Sequence, residues 1–177
     1  MIERYSRPEM ASKWTMQAKY QAWLDVELAT VKAWNKLGLI PDDDCKKIVE
    51  NADFNIERID EIEAVTKHDL IAFTQSVSEF LGDESRWFHY GITSSDCVDS
   101  AVALQMKASL EIIIEDTKIM MEAIKVRAEE HKMTLMIGRS HGIHGEPITF
   151  GLVLAVWYDE MARHLVNLNQ TMDVIAV

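Results

Sequence analysis

The densest set of chemically capable side chains is Gly138-Arg139-Ser140-His141-Gly142-Ile143-His144-Gly145-Glu146-Pro147. Glycines let backbone approach a ligand closely and expose N–H groups. Arg139 offers a planar fork for a carboxylate or phosphate. His141, between Ser140 and Gly142, has the side chain most suited to general acid or base work near neutral pH. A connecting loop whose histidines bond only to their surroundings fits the same residues. His141 and His144 have the spacing of a metal-ligand pair, but no helix and no Cys/Asp cluster supports one. No metal and no other cofactor is expected.

Three further segments carry polar groups in suggestive order. In Thr66-Lys67-His68-Asp69, His68 falls at a predicted helix N-terminus. A histidine at the positive end of a helix dipole is a useful neutral donor to an anion. Asp69 as an ordinary helix cap is the plainer reading of the same tetrapeptide. His89-Tyr90-Gly91-Ile92-Thr93-Ser94-Ser95-Asp96 brings hydroxyls and free N–H groups to a helix start, which suits a carboxylate or phosphate. An N-cap supplied by Ser94, Ser95 or Asp96 explains it more simply. At the N-terminus, Glu3-Arg4-Tyr5-Ser6 sets a cation beside an aromatic ring, able to grip a phosphate or stack on a base, or to be plain surface.

The elements that must position these groups follow from where the helix breakers fall. The chain of 177 residues has 7 Gly and 3 Pro, about half the average share. Residues 9–37, 42–81, 92–137 and 152–177 contain neither, and five of the ten breakers lie between Gly138 and Gly151. That distribution predicts long helices and argues against a turn-rich β sandwich or barrel. A first long helix is expected from about Thr15 to Leu37, with Tyr20, Leu24, Leu28 and Val31 at spacings of three and four. Gly38 is a natural stop. Pro41 and the three aspartates after it open a short helix toward Glu50, and Asn55 caps another through Glu63. A fourth is expected from His68-Asp69 to Gly82, with Leu70, Ile71, Phe73, Val77, Phe80 and Leu81 available for burial. Trp87 to Ser95 is expected as a loop. A helix from there to about Lys132 would be roughly 50 Å long and needs neighbours in a bundle. The last helix begins near Phe150 and runs apolar and uncapped into Val177, as expected of a piece of a longer chain.

Composition sets the outer bounds. Apolar residues make up 48% and charged residues 27%, which suits a packed core and not a disordered chain. No run of eighteen apolar residues exists, so no membrane span is expected. Met1-Ile2-Glu3-Arg4 has no apolar signal core behind it, which argues against secretion. A formal charge of −11 opposes non-specific nucleic-acid binding and requires cations to be concentrated locally around any anionic substrate. Cys45 and Cys97 form no CxxC and no disulfide framework, the pattern of reduced thiols in a cytoplasmic protein.

Met1 through Met10, Lys67-His68-Asp69, His89 through Asp96 and Gly138 through Gly151 together resemble the N-terminal part of the adenylosuccinate lyase family, of bacterial type, within the fumarase/aspartase superfamily. The resemblance covers the whole chain in order. Ser140 and Ser95 stand where threonine is common, Lys67 where arginine is common, and Gly145 where alanine is common. The superfamily's mobile Ser-Ser-x-Met-Pro-x-Lys-x-Asn-Pro loop, which carries the serine implied to be the general base, is not in this sequence, nor is the C-terminal helical domain. The implied fold is all-α. A small N-terminal helical domain, residues 1–92, precedes the first part of a central long-helix bundle, residues 93–177, truncated here.

The resemblance implies a β-elimination in purine nucleotide biosynthesis. Adenylosuccinate gives AMP and fumarate, and the parallel succinylated imidazole-carboxamide ribotide is cleaved likewise. It implies His141 as the general acid for the departing amine, with His68 assisting. Thr93 and Ser94 would hold the succinyl carboxylates, Arg4 and Tyr5 the nucleotide end, and Lys67, His68 and Asp69 the substrate. His89 is an accessory contact, and Arg139 is assigned no role. Members are homotetramers whose sites draw on three subunits, so the chain alone is expected to be inactive. Two other readings stand beside this one. One is a superfamily lyase acting on argininosuccinate, aspartate or malate, against which Glu3-Arg4-Tyr5 argues. The other is a non-catalytic helical oligomerisation module.

Overall fold

The computed structural model describes residues 2–175. Seven α-helices and one two-stranded ribbon follow in chain order among them. They are α1 (Pro8–Ala11), α2 (Met16–Lys36), α3 (Asp42–Asn51), α4 (Ile56–Thr66), α5 (Asp69–Ser78), α6 (Ser94–Glu130), β1 (Leu135–Ser140), β2 (Ile143–Thr149) and α7 (Phe150–Ile175), with short 3-10 turns at Glu3–Tyr5, Ser12–Trp14 and Asp83–Trp87. The chain packs as two compact units, Met1–Met106 and Lys107–Val177.

The first unit is built on α2. Thr15 caps it, its hydroxyl accepting the Ala18 N–H at 3.1 Å. Tyr20, Trp23, Leu24, Glu27 and Val31 are buried along one face, at the three-four spacing that one side of a helix requires. The helix stops at Gly38 (φ 78°). There the Gly38 N–H reaches Asn35 O at 2.8 Å and the Leu39 N–H reaches Trp34 O at 3.0 Å, the paired bonds of a Schellman cap. Asn55 caps α4 by accepting the Arg58 N–H at 2.9 Å. Tyr20 and Phe73 lie nearly parallel with centroids 5.8 Å apart, and Trp23 stands edge-on to both, at 5.3 Å from Tyr20 and 5.4 Å from Phe73. Phe54 and Phe88 close the cluster. Such geometries add about 0.5–1.5 kcal/mol per pair beyond the area they bury.

Three expectations need correction. The fourth expected helix, α5, ends at Ser78 and not at Gly82, and Ile71 and Phe80 are exposed. Local pattern says which side chains are apolar, not which have a neighbour. The cap of α5 is His68 and not Asp69, since Asp69 Oδ1 instead accepts the adjacent Leu70 N–H at 2.7 Å. The glycine-rich run is a hairpin and not a loop. β1 and β2 pair antiparallel from Leu135↔Thr149 to Ser140↔Ile143, with a register shift between Ile137 and Arg139. The extra residue lies on β2, opposite Gly138. A Cβ on Gly138 would sit 3.0 Å from Glu146 O, so glycine is what allows the bulged strands to close.

In the second unit α7 starts against the end of α6. The Phe150 N–H donates to Thr134 O at 2.9 Å and the Gly151 N–H to His131 O at 3.0 Å, so the first N–H groups of α7, which lack partners within their own helix, are satisfied there. Leu110, Ile114 and Leu154 are buried, while Ile113, Ile119, Met120, Val126, Leu152, Val156, Trp157 and Val166 remain exposed along α6 and α7. No helix among the described residues is long and apolar enough to cross a membrane.

Candidate active site

Among the described residues, three other than glycine adopt a left-handed backbone: Lys67 (φ 56°), His89 (φ 61°) and His141 (φ 52°). Side chains other than glycine enter this region at a cost, and such residues cluster at functional sites. Each of the three lies in one of the segments that sequence chemistry singles out.

Lys67 and His68 form the corner between α4 and α5. Lys67 is the left-handed cap of α4, its N–H donating to Glu63 O at 2.9 Å. His68 follows in extended backbone, and its Nδ1 accepts the Ile71 N–H at 3.4 Å. Accepting there requires a bare Nδ1, so the neutral ring carries its hydrogen on Nε2. Asp69 Oδ1 is 3.6 Å from the same Nδ1. Thr66 Oγ1 donates within this corner, to Ile62 O at 3.1 Å and to His68 O at 3.3 Å. Asp60, Glu63, Ala64 and Lys67 line an open hollow of about 400 Å³. Burial, then the charges of Asp60, Glu63 and Asp69, push the Tyr20 hydroxyl above its ordinary range, and Lys67 shares its hollow with the carboxylates of Asp60 and Glu63.

The loop before α6 carries His89, Thr93 and Ser94. His89 Nδ1 lies 2.6 Å from Glu27 Oε1. Glu27 is fully buried on α2, and sequence reasoning did not identify it. The available signal was its position at the centre of the apolar stripe, between Trp23-Leu24 and Val31. Thr93 flanks α6, which begins at Ser94, and the Thr93 N–H donates to Asp96 Oδ2 at 2.7 Å. That is the back-reaching half of a capping box. Arg4 and Tyr5 occupy the first 3-10 turn, with the guanidinium 4.8 Å from the Tyr5 ring centroid, and both are exposed.

His141 and Gly142 (φ 78°) form the two-residue turn between β1 and β2. Positive φ at both central positions defines the type I′ turn, whose twist matches the flanking strands. Arg139 Nη1 donates to Gly142 O at 3.2 Å and steadies the turn from within. The His141 side chain is exposed at the hairpin tip, free to meet a ligand. His144 pairs across the ribbon with Arg139. No group of three or more His, Cys, Asp or Glu side chains is placed to hold a metal ion among the described residues.

In a predominantly helical protein, His68 thus stands at a helix corner, His89 in the loop before α6 and His141 at a hairpin tip. Residues 3–177 match the family described as Lyase, and the chain belongs to that family. Over all 177 residues it is 60% identical to adenylosuccinate lyase of Helicobacter pylori (strain ATCC 700392 / 26695) and 51% identical to adenylosuccinate lyase of Bacillus subtilis (strain 168). It spans 40% and 41% of their lengths. A crystal structure of fumarate lyase from Mesorhizobium sp. BNC1 superposes with a TM-score of 0.86 at 27% identity, over 91% of this chain and 39% of that one.

Proposed function

We propose that the chain is the N-terminal part of an adenylosuccinate lyase of purine nucleotide biosynthesis. The observation that carries this is the 60% and 51% identity, over every residue, to two proteins of that name. The reaction is the elimination of fumarate from adenylosuccinate to leave AMP, and the analogous cleavage of the succinylated carboxamide ribotide. A base removes a proton from the carbon beside a carboxylate, the carbon–nitrogen bond breaks, the carbon–carbon double bond forms, and the departing nitrogen takes a proton. His141 supplies that proton, and exposure at a two-residue turn suits the task. The base lies on the signature loop, outside these 177 residues.

His68, with its hydrogen on Nε2, is the second catalytic histidine and donates to substrate beside Lys67 and Asp69. Thr93 and Ser94 hold carboxylate oxygens at the start of α6, where helix N–H groups and the dipole favour an anion. Arg4 and Tyr5 take the nucleotide end, and His89 is an accessory contact. Residues 1–92 form the N-terminal domain and 93–177 open the central bundle. The full-length protein is a cytoplasmic homotetramer. The exposed apolar side chains of α6 and α7 support burial between subunits, and two buried free thiols suit a reducing compartment. Small molecules, not nucleic acids or membranes, are its ligands.

The test is direct. The full-length protein is incubated with adenylosuccinate, and AMP is followed with fumarate absorbance. Stoichiometric AMP and fumarate are expected, with no turnover by the isolated 177-residue chain. Turnover of argininosuccinate or aspartate in its place would overturn the assignment.

A further inference from the structure

Glu27 is an expensive residue to keep. An ionised carboxylate taken fully out of water costs several kcal/mol unless partners compensate. Glu27 has no exposed surface, its Oε2 has no hydrogen-bond partner among the described residues, and its Oε1 is 2.6 Å from His89 Nδ1. Trp23 and Val31 are buried on the same face of α2, and Glu27 contributes to raising the pKa of the buried Cys97 thiol. A leucine or methionine would fill such a place at no desolvation cost, so the carboxylate must do something that packing does not.

What it meets is a loop held in one conformation. His89 is left-handed (φ 61°) and its side chain is 26% exposed, so the ring reaches from the buried carboxylate to the surface. One residue on, the Trp34 indole N–H donates to Tyr90 O at 2.9 Å. At Gly91 (φ 76°) a Cβ would lie 3.0 Å from the same indole. Glu27 and Trp34 are seven residues apart, two turns along one helix face. A single helix therefore fixes the ring of His89 at one point and the backbone after it at another.

We propose that Glu27 is the positioning residue of His89. An ionised carboxylate only accepts, so Nδ1 carries the hydrogen and Nε2 is left as the ring's working atom at the substrate. The proposal deepens the lyase reading, since it rests on His89 contacting substrate there.

The experiment has two arms. In the 177-residue chain with ¹⁵N-labelled histidine, long-range proton–nitrogen spectra report the tautomer of each ring. His89 is expected with its hydrogen on Nδ1, and Glu27→Met, with Glu27→Leu as the alternative should Met not fold, is expected to abolish that preference. Glu27→Gln retains an acceptor oxygen and is expected to restore it. In the full-length protein, Glu27→Met is expected to lower kcat/KM on the order of 10²-fold, the scale of a well-placed imidazole, and to have no further effect in a His89→Asn background. An unchanged tautomer, or an undiminished loss in that background, would overturn the proposal. A wild-type protein that does not cleave adenylosuccinate would refute the lyase reading alone, leaving the tautomer result to judge Glu27.

Discussion

Gly151, at the start of α7, lies against the carbonyl oxygen of Ala128 on α6. A Cβ built there would stand 2.5 Å from that oxygen and 2.7 Å from the Lys132 Cα. All the obstructing atoms are backbone, so no side-chain rotation relieves them.

Gly151→Ala is therefore expected to destabilise the second unit by about 1–3 kcal/mol, the usual range for overpacking. Thermal or urea unfolding of the chain measures it. A variant as stable as the parent would mean that the two helices can separate there without cost.

At the hairpin tip, His141→Asn is the cleaner variant for testing acid catalysis, because asparagine tolerates the left-handed turn that His141 occupies. The full-length protein is expected to lose turnover on the order of 10²–10⁴-fold with its circular dichroism unchanged. Near-normal turnover would remove His141 from the acid role.

The buried cysteine supplies a pH prediction. Burial, then the charge of Glu27, raises Cys97 well above the ordinary thiol range, whose reference is about 8.5. Below that value both folded and unfolded chains hold the proton and nothing is gained or lost. Above it the unfolded chain releases the proton while the folded chain keeps it, so stability falls as pH rises. Tyr20, shifted in the same direction, adds to the decline above about pH 10. Urea midpoints measured from pH 7 to 10.5 should fall, and Cys97→Ala should flatten the earlier part of the curve.

Much of this fold is legible because it is local. The Asn55 cap, the Gly38 stop and the stripe on α2 each depend on residues within a few positions, and each lies where helix chemistry puts it. The ribbon is different. Gly138, Gly145 and Pro147 interrupt any two-residue alternation in a strand, so its pairing emerges only once the chain has folded back on itself. Glu27 is hidden for a related reason. A glutamate in a helix passes as surface until a histidine 62 residues later is seen to be its partner.

Arg58 and Glu79 provide an acid-side counterpart. Arg58 Nε and Nη2 both donate to Glu79, at 3.0 and 2.8 Å, while Nη1 reaches Glu61 at 2.8 Å. The hydrogen bonds from Arg58 hold the Glu79 carboxyl below its ordinary value, so whatever the pair contributes is present above the unfolded value, about 4.3, and disappears as pH falls. Carboxyl titration by NMR should show Glu79 returning to the ordinary range in Arg58→Ala. An unmoved titration would contradict the pairing.

The indole that fills the space at Gly91 ties the fate of that loop to a helix far from it in sequence. Peeling residues 88–91 away requires disturbing the second half of α2, so amides in both should exchange with deuterium as one cooperative block. A substitution meant only to loosen the loop would also be felt in the hydrophobic centre of the first unit.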